Sequence, residues 1–324
     1  MANAPFQLKI TDRHDDRGNI MRLTLAAADG SPLPPFDAGS HLDLRIQDSA
    51  QGIDLWRQYS LCGDPSEHGV YRLGILNDPA SRGGSQALHR IARPGLVLEA
   101  SHPRNHFPLA PDARRSILIG GGIGVTPMIA MAWTLEAKGS DFILHYCTRD
   151  PERTAFLSDL QGWSFASKIR CHHDNGPDTQ RFDVLRDIPE PDGGTHIYVC
   201  GPQGFMDMVI DAAQNAGHAN ENIHREYFSA DIDTSGGAFE VVAQTSGVTV
   251  EVGADETIVK ALARVGVKVE VKCEEGICGT CLTDIIEGLP DHRDAFLTED
   301  ERQDGTVMML CCSRAKTSRL VLDI

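Results

Sequence analysis

Three cysteines stand within nine residues in CEEGICGTC, at Cys273, Cys278 and Cys281, and a vicinal pair, Cys311 and Cys312, begins 30 positions after the third. The C-x4-C-x2-C spacing with a distant fourth thiol is the one that holds a [2Fe–2S] cluster. Two irons need four thiolates, and one loop delivers three of them only by wrapping the cluster closely. Gly276 and Gly279 permit that wrapping, because glycine accepts positive φ and lets backbone N–H groups approach the sulfurs. A lone C-x2-C also reads as half of a zinc site or as a redox dithiol. Zinc sites usually pair two such units, and this chain has one. Spacing alone does not choose between Cys311 and Cys312.

The remaining composition sets the frame. A chain of 324 residues exceeds what one core supports, so several domains are expected. The N-terminal MANAPFQLKITDRHDD has no apolar core of a leader, and nine cysteines without a leader suggest reduced thiols and ligands in a cytoplasmic setting. Cys62, Cys147 and Cys171 read as small buried side chains. No membrane span is expected, since no run of 18 apolar residues occurs. The formal net charge of −16 argues against nucleic acid or an anionic membrane as partner. That charge is uneven: residues 1–110 carry net −1, residues 111–235 net −8 and residues 236–324 net −7.

The rhythm of the chain changes near residue 110. Before it, QLKIT, NIMRLTLAAA, HLDLRI, RQYSLC and VYRLGIL are short runs broken by turn residues, which predicts an antiparallel β-barrel. After it, SILIG, FILHYC, KIRCHH and HIYVC alternate with helix-like stretches such as TPMIAMAWTLEAKG, which predicts a parallel, doubly wound sheet. DIDTSGGA is a polar, glycine-containing break. The expected division is a barrel at 1–110, a nucleotide domain at 111–230, a linker at 231–237 and a cluster domain at 238–324.

Two glycine turns suit phosphates. In NDPASRGGSQALHR, Gly83, Gly84 and Ser85 open a helix with free N–H groups and a hydroxyl, and Arg82 adds charge. In SILIGGGIGVTPM the pattern is G-x-G-x-x-P from Gly122. Gly122 and Gly124 would let the backbone approach a pyrophosphate, with Thr126 capping the following helix and Pro127 in its first position. Asp174, after KIRCHH, is placed to bond a free ribose 2′-hydroxyl and to repel a 2′-phosphate, which favours NADH over NADPH. His172 and His173 are adjacent on a strand and point to opposite faces, which disfavours joint ligation. The 13 scattered histidines argue no mononuclear iron site, so no oxygenase centre is read here.

With these motifs in the order barrel, nucleotide domain, cysteine loop, nearly the whole chain resembles the phthalate dioxygenase reductase family, including its vanillate demethylase reductases. CEEGICGTC and MMLCCSRAKTSRLVLDI carry the resemblance at the C-terminus, where a β-grasp (α+β) plant-type ferredoxin domain is implied and Cys311 is favoured as the fourth ligand. The resemblance to the wider ferredoxin-reductase superfamily assigns Arg57 and Tyr59 of RQYS to the flavin, Ser60 to its reactive nitrogen, and the backbone of Gly74, Ile75 and Leu76 to its ribityl side. Phe228 of REYF would cover the ring. Alone, RQYS reads as an edge-strand arginine with a core tyrosine. Cys200, Gly201 and Pro202 would sit beside the nicotinamide, and Thr148 and Arg149 beside the adenosine ribose. The implied cofactors are FMN, NADH and a [2Fe–2S] cluster. The implied role is a monomeric reductase that passes single electrons to a separate oxygenase, usually Rieske-type in this family. A reductase for a cytochrome P450 would look much the same, and a non-catalytic iron–sulfur sensor would leave RQYS and both glycine turns without use.

Overall fold

The computed structural model describes residues 4–228 and 233–324. The chain divides into two compact units, Met1–Glu226 and Tyr227–Ile324. The expected linker, at Asp231 and Ile232, and the expected end of the nucleotide domain, at residues 229–230, fall outside the described residues.

The first unit opens with strands β1 (Phe6–Asp16), β2 (Ile20–Ala27), β3 (Ser40–Asp48), β4 (Ile53–Ser60) and β5 (Tyr71–Leu76). After helix α1 (Gly84–Ile91) come β6 (Val97–Ala100) and the short β7 (Arg104–Asn105). They form an antiparallel sheet in the order β4-β3-β6-β1-β2-β5, with β7 on β3. Leu61, just past β4, bridges Leu73 of β5, so the sheet curls back on itself. The alternation that predicts strands is the one that fills the interior: Leu8, Ile10, Leu23, Leu25, Leu42, Leu44 and Ile46 are all buried.

The second half of this unit contains β8 (Arg115–Gly121), α2 (Val125–Ala137), β9 (Asp141–Thr148), α3 (Leu157–Gly162) and β10 (Ile169–His173). It continues with α4 (Val184–Asp187), β11 (Thr195–Cys200), α5 (Gln203–Asn215) and β12 (Ile223–Glu226). The five strands are parallel, in the order β10-β9-β8-β11-β12. The chain leaves β8 in both directions across the sheet, so the loop after β8 lies at the topological switch point, where such sheets bind ligands. β8 is covered on both faces, which is why SILIG is apolar without alternation. The helix α2 begins at Val125, two residues earlier than a Thr126 cap implies. Thr126 does not cap it: Gly124 is the cap, and the Thr126 hydroxyl donates to the Ile123 carbonyl at 2.9 Å.

The second unit contains β13 (Phe239–Ala243), β14 (Val248–Val252), α6 (Ile258–Arg264), β15 (Leu282–Glu287) and β16 (Pro290–Asp291). It ends with α7 (Glu299–Asp304), β17 (Val307–Met309), β18 (Arg314–Ala315) and β19 (Arg319–Leu322). Its main sheet runs β14-β13-β19-β15-β17, with β13 and β19 parallel and the other pairs antiparallel. Val241, Ile258, Leu262, Leu320 and Leu322 form its core with the inner ends of the cysteine loop. Arg314 is buried to 3% exposure and donates to the carbonyls of Thr234, Gly237, Gly253 and Glu256. Those four acceptors satisfy a guanidinium that burial would otherwise penalise, and they tie residues 234–237 to this unit.

Candidate functional site

Ser60 ends β4, and its Oγ lies 3.5 Å from Glu226 Oε2 at the end of β12. Cys200, at the end of β11, is the ladder partner of Glu226 and is fully buried. A hydroxyl, a thiol and a carboxyl thus converge from the barrel and the parallel sheet. The Glu226 side chain is half-buried as a whole, but desolvation of its carboxyl raises it to about 8, against a smaller lowering by the Ser60 hydroxyl. Burial also raises the Cys200 thiol well above its ordinary value, with the Glu226 charge acting in the same direction. Both groups therefore stay neutral at pH 7. Sequence reading of REYF settles on Phe228 and passes over Glu226, because a lone glutamate at a strand end reads as solvent-facing. Only the β11–β12 ladder brings it beside Cys200. Phe228 itself lies in the second unit.

Of the residues expected around a flavin, Arg57 and Tyr59 share β4 with Ser60. Arg57 lies against the start of α1: a Cβ on Gly84 would stand 2.6 Å from its Cγ. Gly83 caps α1 at φ +93, a conformation that glycine alone adopts without strain. Tyr59 Oη and Ser85 Oγ are buried without a hydrogen-bond partner. Orphaned hydroxyls on β4 and at the start of α1 fit positions that meet polar ligand groups, since buried polar groups are otherwise satisfied. Gly74 also has a packing reason to be glycine. Its missing Cβ would stand 2.9 Å from both the Phe156 ring and Thr126 Cγ2, so it lets the barrel approach the parallel sheet. The Ile75 carbonyl accepts from His89 Nε2 at 2.9 Å.

At the nucleotide loop, Gly124 is held by contact: a Cβ there would meet the Cys200 carbonyl oxygen at 2.3 Å. Gly122 has φ +56 and open space where a side chain would project. The turn at Gly122 thus has room beside it at the head of α2, where a helix N-terminus favours an anion. Gly201 and Pro202 carry the chain from β11 into α5, and Phe205 packs on Gly121. Arg149 and Asp174 are both exposed at adjacent strand ends, joined by the Asn175 N–H to Arg149 carbonyl bond of 2.8 Å. The Thr148 hydroxyl is engaged inside the fold, at 2.8 Å from Thr154 Oγ1 and 3.0 Å from His173 Nδ1. It therefore supports the loop from within.

The cysteine loop connects α6 to β15. Cys273, Cys278, Cys281 and Cys311 are all buried. Their thiols lie within hydrogen-bonding reach in the pairs Cys273–Cys278, Cys273–Cys311 and Cys281–Cys311. Donation from the Cys278 and Cys311 thiols, then from the backbone N–H groups of Glu275 and Ile277, holds the Cys273 thiol far down. A pocket of sulfurs lined by N–H donors fits the chemistry of a [2Fe–2S] cluster. The backbone is left-handed at Glu274, Gly276 and Gly279. A Cβ on Gly276 would stand 2.5 Å from Cys312 Sγ, and one on Gly279 would meet the Phe296 ring at 2.5 Å. Cys312 also touches Cys311, but its sulfur packs beneath Gly276, 3.8 Å from the Met309 carbonyl.

A curled antiparallel sheet, a parallel nucleotide sheet and a thiol-lined β-grasp loop define a flavin- and nucleotide-dependent iron–sulfur oxidoreductase. Residues 118–211 match an oxidoreductase NAD-binding domain, and residues 241–316 match a 2Fe-2S iron-sulfur cluster binding domain. A vanillate O-demethylase oxidoreductase of Pseudomonas sp. (strain HR199 / DSM 7063) is 45% identical over 308 residues, covering 94% of this chain and 96% of the relative. The solved phthalate dioxygenase reductase, described as a modular structure for electron transfer from pyridine nucleotides to [2Fe-2S], superposes with a TM-score of 0.74 at 38% identity, covering 99% of this chain and 98% of that one. An intact type IV self-sufficient cytochrome P450 monooxygenase matches with a TM-score of 0.86 at 36% identity, covering 99% of this chain and 41% of that larger one. The chain belongs to the phthalate dioxygenase reductase family, and it is an NADH-dependent oxidoreductase. Among the described residues, no helix is long and apolar enough to cross a membrane.

Proposed function

We propose that this chain is the reductase component of a Rieske-type oxygenase that acts on a small aromatic compound, in a cytoplasmic setting. The observation that carries this reading is the gathering of four cluster thiols in one unit while the other unit brings Ser60, Glu226 and Cys200 together. When bound, FMN and the cluster would supply the conversion of a hydride from NADH into single electrons for an acceptor.

The chain's own residues prepare that transfer. The start of α2 and the turn at Gly122–Gly124 hold the pyrophosphate. Asp174 bonds the free 2′-hydroxyl and Arg149 borders the same ribose. Cys200, Gly201 and Pro202 shape a dry wall for the nicotinamide. Tyr59 and Arg57 orient the flavin, and Ser85 with Arg82 binds its phosphate. Ser60 presents its hydroxyl at the reacting face, and neutral Glu226 accepts from or donates to that hydroxyl without placing a charge there. Cys273, Cys278, Cys281 and Cys311 ligate the two irons. Cys312 is packing.

Similarity to the P450 fusion supports a second reading, in which the acceptor is a P450. The deciding experiment mixes the purified protein, reduced by NADH, with a Rieske oxygenase and separately with a P450, and follows the acceptor spectrum. Bleaching of the flavin and cluster bands, with electrons reaching the Rieske protein, is the expected result. Turnover with the P450 alone would reverse the choice of partner, and no bleaching by NADH would reject the reductase reading altogether.

A further inference from the structure

Two imidazoles in the parallel sheet have no part in the electron path. His145 on β9 and His172 on β10 are buried, at 2% and 6% exposure. Their rings stack at 5.1 Å with an interplanar angle of 20°, and His145 Nδ1 stands 2.9 Å from His172 Nε2. Asp187, the last residue of α4, brings a carboxylate to the same place, and one ligand atom from each of the three lies within 4.8 Å of the others. We propose that His145, His172 and Asp187 form a binding site for a zinc-class divalent cation.

The chemistry of the donors supports this. A cation needs neutral imidazole lone pairs. Burial first, and the neighbouring His172 second, bring His145 down to about 4, and burial lowers His172 too. Both rings are therefore neutral at pH 7. Two zinc–nitrogen bonds of about 2.0–2.1 Å at a tetrahedral angle span about 3.3 Å, so the two nitrogens, 2.9 Å apart, open by about 0.4 Å to take the cation. His172 Nδ1 stands 4.0 Å from Asp187 Oδ2, and the ring is steadied from the loop before α4 through hydrogen bonding with the backbone at Arg181 and Gln180. Outer partners of that kind set the tautomer of a ligating histidine. Two neutral imidazoles and one carboxylate leave a fourth position for water, the three-ligand pattern of open zinc sites.

The cost falls on Asp187. Its carboxylate accepts from the Asp183 N–H at 2.9 Å and pairs with Arg186 at 2.7 Å. Arg186 is 45% exposed and can turn to solvent when a cation takes its place. The site would pin α4 and Phe182, whose ring edges both imidazoles, onto β9 and β10. A comparison pair sits in the same sheet. His196 and His224 also stack, at 5.2 Å and 11°, with nitrogens 2.9 Å apart. Among the described residues that pair is not part of a three-ligand group.

The test titrates zinc into the complete protein, with cluster and flavin bands recorded throughout, against a chromophoric zinc indicator. One zinc per chain is expected, with the cluster spectrum unchanged and with d–d bands of a four-coordinate ion when cobalt replaces zinc. His172→Gln and Asp187→Asn should each weaken binding at least tenfold, while His224→Gln should leave it unchanged. Should His172→Gln fail to fold, Asp187→Asn decides alone. Absence of stoichiometric zinc in the wild type, or equal binding in wild type and Asp187→Asn, would overturn the site and leave a hydrogen-bonded histidine pair.

Discussion

The Ser60 hydroxyl stands 3.5 Å from the Glu226 carboxyl, and burial holds that carboxyl protonated to about pH 8. Hydride arrival makes the flavin more negative, so an ionised Glu226 beside Ser60 opposes it. Wild-type flavin reduction by NADH should therefore slow as pH rises through 8, by about tenfold if the charge raises the barrier by about 1.4 kcal/mol. Glu226→Gln should remove that dependence while keeping the rate at pH 6.5. Stopped-flow reduction of the flavin band between pH 6 and 9.5 measures both; a parallel decline in the glutamine variant would assign the effect elsewhere.

The same group links pH to stability. Its folded pKa, about 8, lies above its ordinary value of 4.5, so the folded state binds the extra proton. Stability is then fully present below about pH 4.5 and is lost as pH rises through 8. At pH 9, Glu226→Gln should unfold at a higher temperature than wild type, with a gap that closes by pH 5. A difference of about 1 kcal/mol corresponds to roughly 2–4 °C for a unit of this size. Calorimetry at the two pH values decides.

Cys311 contacts two of the loop thiols, whereas the Cys312 sulfur fills the space beneath Gly276. Cys311→Ser should lose most of its iron and sulfide, and Cys312→Ala should keep both. Gly276→Ala should also lose cluster, since its methyl would overlap a sulfur at 2.5 Å and φ there is +65. Iron and sulfide analysis that found Cys312→Ala depleted and Cys311→Ser full would exchange the two roles.

Asp174 and Arg149 lie exposed on neighbouring strand ends and pull in opposite directions on a 2′-phosphate. The wild type should show a lower KM for NADH than for NADPH. Asp174→Ser should narrow the ratio about tenfold, the effect of roughly 1.4 kcal/mol of lost repulsion. A wild-type preference for NADPH is the result that would sink the assignment.

Glu274 is exposed inside the ligand loop, and Glu275 is half-buried beside it, in a stretch from residue 236 that carries net −7. If these charges steer the acceptor, its reduction should slow as salt rises, because exposed charges are screened over roughly 10 Å at 0.1 M. Glu274→Gln with Glu275→Gln should flatten that dependence. Ferricyanide reduction from the flavin provides the control, and an acceptor rate indifferent to salt in both proteins would leave the carboxylates as solubilising charge only.

Local chemistry was enough for some of this protein. The C-x4-C-x2-C loop needs only its own glycines to curl, so its spacing disclosed a cluster site directly. SILIGGGIGVTPM and SRGGSQALHR likewise disclosed their turns, because strand, glycine and helix follow one another along the chain. Pairings between distant segments were another matter. The choice of Cys311 over Cys312 depends on which sulfur Gly276 covers. The bonds of the Thr148 hydroxyl to Thr154 and His173 are likewise set by the fold and not by the local sequence. Glu226 lies 166 residues away from Ser60 in sequence, and nothing local singles it out. The β11–β12 ladder and the closure of the barrel put the two together, and desolvation there changes the charge that Glu226 carries. A sequence lists its ionisable groups, but their protonation is set by which other segments exclude water from them, and that is decided by tertiary packing.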